Sequence, residues 1–108
     1  MPPGFTPASR RDRIAPGRAV VALVGGEPVA LYEVGGRVLA IDDRCARCGG
    51  SLAEGRQDQR VVECARCGWS YELDTGAVVG LAALRLDRYD VRIRDSEVFV
   101  APHPTGSA

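Results

Sequence analysis

The chain has 108 residues, with 14 basic residues against 14 acidic residues, four cysteines and a single histidine. This length suits one small domain, and the balanced charge, with acids and bases interspersed, gives no support to a polyanion-binding role, so we expect no nucleic-acid partner. A hydrophobic content of 45% excludes wholesale disorder. Since His103 lies in a proline-rich tail, any metal or redox chemistry falls to the cysteines.

The chain shows no sequence feature of membrane insertion or secretion. No apolar run approaches the roughly 20 residues that span a bilayer, and the N-terminus lacks the apolar region of a secretory signal. We therefore expect a soluble, cytoplasmic protein with no membrane partner. In a reducing compartment, cysteines paired at short spacing are more often metal ligands or redox thiols than disulfides.

The two ends of the chain are predicted to be flexible. Residues 1–16 hold four of the seven prolines and few large apolar groups, which predicts a mobile arm. Residues 102–108 have the same character and are predicted to be a flexible tail. Residues 17–101 then form the domain.

Within the domain, short β-branched runs punctuated by glycine predict strands. The predicted strands are 19–24, 29–34, 37–41, 60–63, 69–73, 77–79, 89–94 and 97–100. The pair Gly35-Gly36 suits a tight hairpin turn, and Leu81–Leu86 is the one segment that fits a helical turn. The fold is therefore predicted to be mostly β, a small antiparallel sandwich or barrel, with residues 44–55 as an exposed loop.

The pentapeptide Cys-Ala-Arg-Cys-Gly occurs twice, at residues 45–49 and 64–68, and we call these the first and second knuckle. Two residues between thiolates let one tight turn direct both sulfurs to one metal ion, and a following glycine can adopt a positive φ. Two facing knuckles complete a tetrahedral all-sulfur site. The ligands are therefore predicted to be Cys45, Cys48, Cys64 and Cys67, in preference to buried apolar cysteines or independent redox thiols.

Other side chains near the knuckles give weaker indications of a role at the metal site. Arg47 and Arg66 occupy matching positions, where a guanidinium would offset the charge of four thiolates, although a solvated loop arginine is an equal alternative. Trp69 and Tyr71 are expected to cover the site and pack in the core rather than to bind a partner. Asp42-Asp43 is expected to be a solvated turn. No catalytic constellation is visible, so we do not expect an enzyme.

At these motifs the sequence resembles the Rieske-type ferredoxin family, over residues 17–100. The family shows Ala-x-Asp before its first cysteine and later C-P-x-H-G-W-x-F-D-x-x-T-G. The matching text here is Ala40-Ile41-Asp42, CARCGGSLAEG at 45–55 and CARCGWSYELDTG at 64–76. The resemblance implies three antiparallel sheets with two metal-binding loops at one tip.

The ligand positions depart from the family pattern. Cys45 and Cys64 match the family cysteines and Cys67 matches the second histidine, but the first histidine position is Arg47, which has no lone pair for a metal. Its replacement is Cys48, one residue later, and a C-x-x-C turn directs both sulfurs to one centre. This predicts a mononuclear site resembling that of rubredoxin. The proline loop that shields the family's cluster is also absent between Gly76 and Leu86.

Four thiolates admit zinc, a single iron or, less favoured here, a two-iron two-sulfur cluster. The family resemblance implies an accessory electron carrier that serves a reductase, an oxygenase or another enzyme, with Arg47 and Arg66 tuning the potential and Trp69 or Leu52 bordering the docking surface. The alternative is a zinc-stabilised, non-redox interaction or regulatory module. Direct catalysis is disfavoured, because a closed four-cysteine site leaves no open coordination position.

Overall fold

The computed structural model describes residues 4–102 and 104, and these form three antiparallel sheets. The prediction of a mostly β, antiparallel fold is confirmed, with open sheets and no closed barrel among the described residues. The strands in chain order are β1 Thr6–Arg10, β2 Val20–Val24, β3 Glu27–Val34, β4 Arg37–Asp42, β5 Arg56–Asp58, β6 Val61–Glu63, β7 Ser70–Glu72, β8 Ala77–Val78, β9 Leu81–Arg85, β10 Arg88–Tyr89, β11 Val91–Arg94 and β12 Glu97–Val100.

Two of the sheets form the base of the molecule. One has the order β1-β12-β11 and the other the order β10-β4-β3-β2. The hairpin between β3 and β4 turns at Gly35 and Gly36, which have φ values of +57° and +83°, as a two-residue type I′ turn requires. The hairpin predicted from this glycine pair is confirmed, and its second strand leads directly into the first knuckle.

The third sheet carries the second knuckle. It is a meander in the order β5-β6-β7-β8-β9, in which each strand pairs with the next one along the chain. The second knuckle is the connection between β6 and β7, so both ends of that loop are held by paired strands. The first knuckle lies between β4 and a short 3-10 turn at Leu52–Glu54.

Part of the N-terminal segment is a paired strand, although residues 1–16 were predicted to be a mobile arm. Residues 6–10 form β1, which pairs with β12, and the Arg11 N–H donates to the Ser96 carbonyl at 2.9 Å. Ile14 is only 2% exposed. Pro7, the proline within this strand, is compatible with it because β1 is at a sheet edge, where a missing N–H is tolerated. The predicted C-terminal tail lies partly outside the described residues.

The helical turn that fits Leu81–Leu86 does not form. Residues 81–85 are the edge strand β9, and Leu81 pairs with Val78 across a turn at Gly80, whose φ is +85°. All five residues of β9 are exposed. The β8–β9 hairpin satisfies the backbone hydrogen-bonding groups of this segment locally, and Leu81 and Leu84 remain exposed. The strand predicted at 89–94 is interrupted at Asp90 and belongs to two sheets.

The core consists of two clusters of buried side chains. One cluster packs beneath the knuckles and contains Tyr32, Ile41, Leu52, Val62 and Tyr71, together with Cys45 and Cys64. The other lies in the base and contains Ile14, Val24, Val29, Leu31, Val38, Ala40, Val98 and Val100. Burial of one such aliphatic side chain contributes about 1.5–3 kcal/mol, so each cluster stabilises its own end of the molecule. Within the described part of the chain, no helix is both long enough and apolar enough to cross a bilayer.

Candidate metal centre

The two knuckles adopt the same local conformation. In the first, the Gly49 N–H donates to the Cys45 carbonyl at 2.9 Å, and in the second the Gly68 N–H donates to the Cys64 carbonyl at 3.0 Å. Gly49 and Gly68 have φ values of +76° and +83°, a region that L side chains rarely adopt. Each repeated pentapeptide therefore folds as a tight turn that ends at its glycine.

The four cysteine sulfurs converge at the tip where the knuckles face each other. All four Sγ atoms lie within 4.8 Å of one another. Sγ of Cys45 lies 3.6 Å from Sγ of Cys67, and Sγ of Cys48 lies 3.5 Å from Sγ of Cys64. With metal–sulfur bonds of about 2.3 Å, the edge of a tetrahedral four-sulfur site is about 3.8 Å. The structure thus brings together the four residues predicted as ligands, with sulfur separations close to this value.

The sulfurs differ in exposure. Cys45 and Cys64, the first cysteines of the two knuckles, are buried, Cys67 is half-buried and Cys48 is exposed. Only the Cys48 side of the site is therefore open to solvent or to a partner.

Cys45 is surrounded by hydrogen-bond donors in spite of its burial. Burial raises its pKa, but hydrogen bonds from the Tyr71 hydroxyl and from the backbone N–H groups of Cys48 and Arg47 outweigh this and bring the pKa to about 6. The Tyr71 oxygen lies 3.2 Å from Cys45 Sγ and also accepts the Ala46 N–H at 2.9 Å. The fold thus provides stabilisation for negative charge on this sulfur before any metal binds.

The pKa of Cys48 is shifted in the opposite direction, upward. The Gly50 N–H, 3.4 Å from Cys48 Sγ, lowers the pKa of Cys48, but desolvation and the three neighbouring thiols raise it to about 11. A cluster of four thiols cannot ionise together without a cation to neutralise it. Binding a metal ion therefore releases protons and is coupled to the pH.

The other predicted site residues, Arg47, Arg66 and Trp69, make contacts that link the two knuckles. The guanidinium carbon of Arg47 lies 5.6 Å from the centre of the Trp69 ring, within the range of a cation–π contact. The stem of Arg66 covers Gly50, where an added Cβ would lie 2.5 Å from the arginine Cδ. Each arginine of one knuckle therefore contacts the segment that follows the other knuckle.

Asp43 and Leu52 are placed differently from the sequence prediction. Asp43 is 4% exposed rather than solvated, and its Oδ1 accepts the Ala53 N–H at 2.9 Å. Its carbonyl accepts the Leu52 N–H at 2.7 Å. Leu52 is fully buried, so the loop is anchored from inside and Leu52 does not border a docking surface. Only Asp42 of the acidic pair acts as a turn residue, accepting the Arg44 N–H.

Two contacts at the site were not predicted from the sequence. The hydroxyl of Tyr71 reaches a sulfur, where only core packing was expected, and Asp43 fixes the loop after the first knuckle. A tyrosine in place of phenylalanine in the family pattern G-W-x-F was the one available signal for the first contact. Nothing local distinguishes Asp43 from its neighbour, because its burial depends on how the loop folds back.

Comparison with known proteins identifies the family. Residues 4–101 match the model of the Rieske-like [2Fe-2S] domain. The chain is 34% identical over 79 residues to "Ferredoxin CarAc" of Metapseudomonas resinovorans, covering 72% of this chain and 74% of that protein. It is 38% identical over 74 residues to the 3-phenylpropionate/cinnamic acid dioxygenase ferredoxin subunit of Shigella boydii serotype 4 (strain Sb227), covering 67% and 70%.

A similar chain of known structure belongs to a complex of reduced oxygenase and oxidized ferredoxin in carbazole 1,9a-dioxygenase. It superposes with a TM-score of 0.86 at 27% identity, covering 96% of this chain and 98% of that one. The relatives are ferredoxins, which are electron carriers rather than catalytic enzymes. The match extends over almost the whole described structure, including the strands that carry both knuckles. The chain belongs to the Rieske-like [2Fe-2S] domain family, and its relatives are Rieske-type ferredoxins.

Proposed function

We propose that this protein is the electron-transfer partner of an oxygenase and that it holds its metal centre through four cysteines. The observation that carries the proposal is the convergence of four Sγ atoms within 4.8 Å at the tip of a ferredoxin fold. The relatives that share this fold are ferredoxin subunits of dioxygenases, and one similar chain is complexed with its oxygenase.

The family's own cluster does not fit the residues at this tip. A Rieske cluster binds one of its irons through two histidines. The first of these positions is Arg47, which has no lone pair to offer, and the second is Cys67. The single histidine of the chain, His103, lies outside the described residues. The family match therefore does not carry its two-Cys two-His ligand set over to this chain.

The sulfur spacing instead supports a single metal ion, iron or zinc. In a two-iron cluster the ligands divide into two pairs, and sulfurs on different irons are farther apart than sulfurs on one ion. Here the closest pairs join opposite knuckles, at 3.5 and 3.6 Å, and no pair exceeds 4.8 Å. Of the two ions, only iron supports electron transfer. The relatives belong to a family named for a [2Fe-2S] cluster, so a two-iron cluster is the alternative that they favour over a single ion.

Arg47 and Arg66 are proposed to balance the charge of the centre. Four thiolates around a divalent ion carry a net charge of −2, and two fixed guanidinium groups beside it favour this more negative state over the oxidised one. Trp69 holds the first of these groups by stacking. Replacing either arginine with glutamine is therefore expected to lower the reduction potential of the iron-loaded protein.

A zinc-stabilised module without redox chemistry is the second candidate. The observation that favours it is the compact, closed, all-thiolate arrangement, which is the usual form of a structural zinc site. Such a protein would use the tip for interaction alone.

Metal and sulfide analysis of the native protein separates these cases. One iron per chain without acid-labile sulfide, in a red protein, is the result expected for the electron carrier with a single ion. A colourless protein with one zinc would overturn the electron-transfer function. Two irons with equimolar sulfide would keep the function and overturn the single-ion site.

The Cys48→Ser variant tests whether the ligand set includes the displaced cysteine. We expect the variant to lose its metal during purification, since a neutral hydroxyl replaces a thiolate. The metal content per chain is compared with that of Ser51→Ala, a control in the same loop that should keep its metal. Full metal content in Cys48→Ser would show that the fourth ligand is elsewhere.

A further inference from the structure

The segments that form the two knuckles and the neighbouring turn contain no acidic residue. Three segments build this tip: residues 45–53, 64–71 and 75–84, and none contains an acidic residue, although the chain has 14. Their charged side chains are Arg47 and Arg66, both exposed. These segments are therefore positively charged within a chain of zero net charge, and the acidic residues nearest in sequence, Glu54, Glu63, Glu72 and Asp74, lie just outside them.

Contacts join the three segments into one face. Arg47 stacks on Trp69, and Arg66 covers Gly50. The Val79 N–H donates to the Ser70 carbonyl at 2.8 Å, which brings the turn between β8 and β9 beside the second knuckle. We call the surface of Arg47, Arg66, Trp69, Val79 and Leu81 the tip face.

The tip face combines apolar area with unneutralised positive charge. Val79 and Leu81 are 50% and 49% exposed. Among the described residues, neither Arg47 nor Arg66 lies within ion-pair distance of a carboxylate, whereas Arg44, just outside the first knuckle, is paired with Glu27 at 2.6 Å. Four thiolates on ferric iron leave one negative charge, and two guanidinium groups exceed it.

We propose that the tip face docks a redox partner protein through an acidic surface patch around an apolar centre. This inference rests on the proposed electron-transfer function, and it adds the chemistry of the partner's surface. Apolar contact at the centre of an interface supplies affinity, while complementary charge at the rim accelerates association and orients the partners. The exposed Cys48 lies within this face, so a docked partner would approach the metal centre directly.

The first test measures the charge preference without electron transfer. Trp69 is the only tryptophan in the chain, so its fluorescence in the zinc-loaded protein reports on the tip face alone. We expect poly-L-glutamate to shift this emission at low salt and poly-L-lysine to leave it unchanged. The variant Arg66→Glu should lose the response, and Arg37→Glu should keep it, because Arg37 is an exposed arginine at the opposite end of β4.

The second test follows electron transfer from the reduced iron-loaded protein to two small oxidants of opposite charge, hexacyanoferrate(III) and tris(phenanthroline)cobalt(III). In Arg66→Glu the rate with the anion should fall by roughly an order of magnitude at low salt, and the rate with the cation should rise. Arg37→Glu should change neither rate.

Equal effects of the two substitutions in both tests would overturn the proposal, because net charge alone would then explain them. A dimer that forms in sedimentation experiments and is lost in Leu81→Ser would also overturn it, since a second copy would then occupy the tip face. A protein that binds only zinc would fail the second test without affecting the first. In that case the electron-transfer function fails, while a response to poly-L-glutamate still supports the acidic partner.

Discussion

The Tyr71 hydroxyl connects the core to the metal centre through two hydrogen bonds, one to Cys45 Sγ and one from the Ala46 N–H. Tyr71→Phe removes both while preserving the shape of the ring. We expect the free energy of unfolding to fall by about 2 kcal/mol, because a hydrogen bond to a charged group is lost in a buried site. In the iron-loaded protein the reduction potential should also fall, since a donor to a thiolate stabilises the more negative state.

Urea denaturation and potentiometric titration measure the two effects of Tyr71→Phe. Tyr89→Phe is the control, because Tyr89 is half-buried and makes no hydrogen bond to a sulfur. A loss of stability with an unchanged potential would show that Tyr71 supports the fold without acting on the centre.

Tyr32 presents the opposite case, a buried hydroxyl with no hydrogen-bond partner. Its side chain is 1% exposed. Because an unsatisfied buried polar group costs about 1–3 kcal/mol, Tyr32→Phe is predicted to make the protein more stable at neutral pH. A decrease in the unfolding midpoint in urea would contradict this prediction.

Tyr32 also makes the free energy of unfolding depend on pH in the alkaline range. Burial, and to a lesser extent the Asp43 carboxylate, raise the pKa of Tyr32 far above its usual value. The unfolded chain loses this proton near pH 10 while the folded chain retains it, so stability decreases as the pH rises above about 10. Tyr32→Phe should make this decrease shallower but not abolish it, since burial raises the pKa of Tyr71 as well. Urea titrations between neutral pH and pH 11 provide the measurement.

The sequence was sufficient to predict which residues form the cluster of sulfurs, because the repeated knuckle is a local pattern with its own turn geometry. The contacts that surround the cluster were not predictable in the same way. Tyr71 and Cys45 are 26 residues apart, and Asp43 and Ala53 are 10 apart. Which hydroxyl or carboxylate reaches which partner depends on how the strands are arranged.

The strand β6 and the loop before β5 are held together at Gly55. A Cβ added at Gly55 would overlap the carbonyl group of Glu63, the last residue before Cys64. The φ of Gly55 is −83°, so alanine is allowed by the backbone and only the contact opposes it. Gly55→Ala is predicted to cost about 1–3 kcal/mol and to speed metal loss, because the overlap displaces the start of the second knuckle.

Gly36→Ala is the matched control for Gly55→Ala. Its φ of +83° makes alanine strained, but nothing lies within 4 Å of the added carbon, and the turn is far along β4 from the knuckle. Both variants should therefore lose stability in thermal denaturation, while only Gly55→Ala loses zinc or iron faster to a chelator. Equal rates of metal loss would mean that the Gly55 contact does not position the second knuckle.

Among the strands, those with a local signal were predictable and those without it were not. The β3–β4 hairpin follows from two short apolar runs and a glycine pair that suits a type I′ turn. By contrast, β1 contains Pro7 and no large apolar residue, and β9 is exposed throughout, so neither shows the period of a half-buried strand. Both exist because a neighbouring strand, β12 or β8, offers its backbone edge.

The molecule as a whole is divided between a base and a tip that carries the four cysteines, each with its own core cluster. Ile14 belongs to the cluster of the base, with Val24, Val29 and Val98, and shares no cluster with the cysteines. The strand β3 joins the two regions, since Leu31 packs in the base and Tyr32 beneath the knuckles. A defect in the base should therefore weaken the fold without changing the geometry of the site.

Ile14→Ala tests this division and the role of the N-terminal segment together. The substitution should cost about 2–5 kcal/mol, because it leaves a cavity at a residue that is only 2% exposed. The folded variant should still bind one equivalent of metal with an unchanged absorption spectrum, and Arg13→Ala, at an exposed neighbour, should alter neither property. Thermal denaturation and metal analysis measure the two effects. If Ile14→Ala unfolded at the same temperature as the unmodified protein, residues 1–16 would behave as the mobile arm that their prolines suggest.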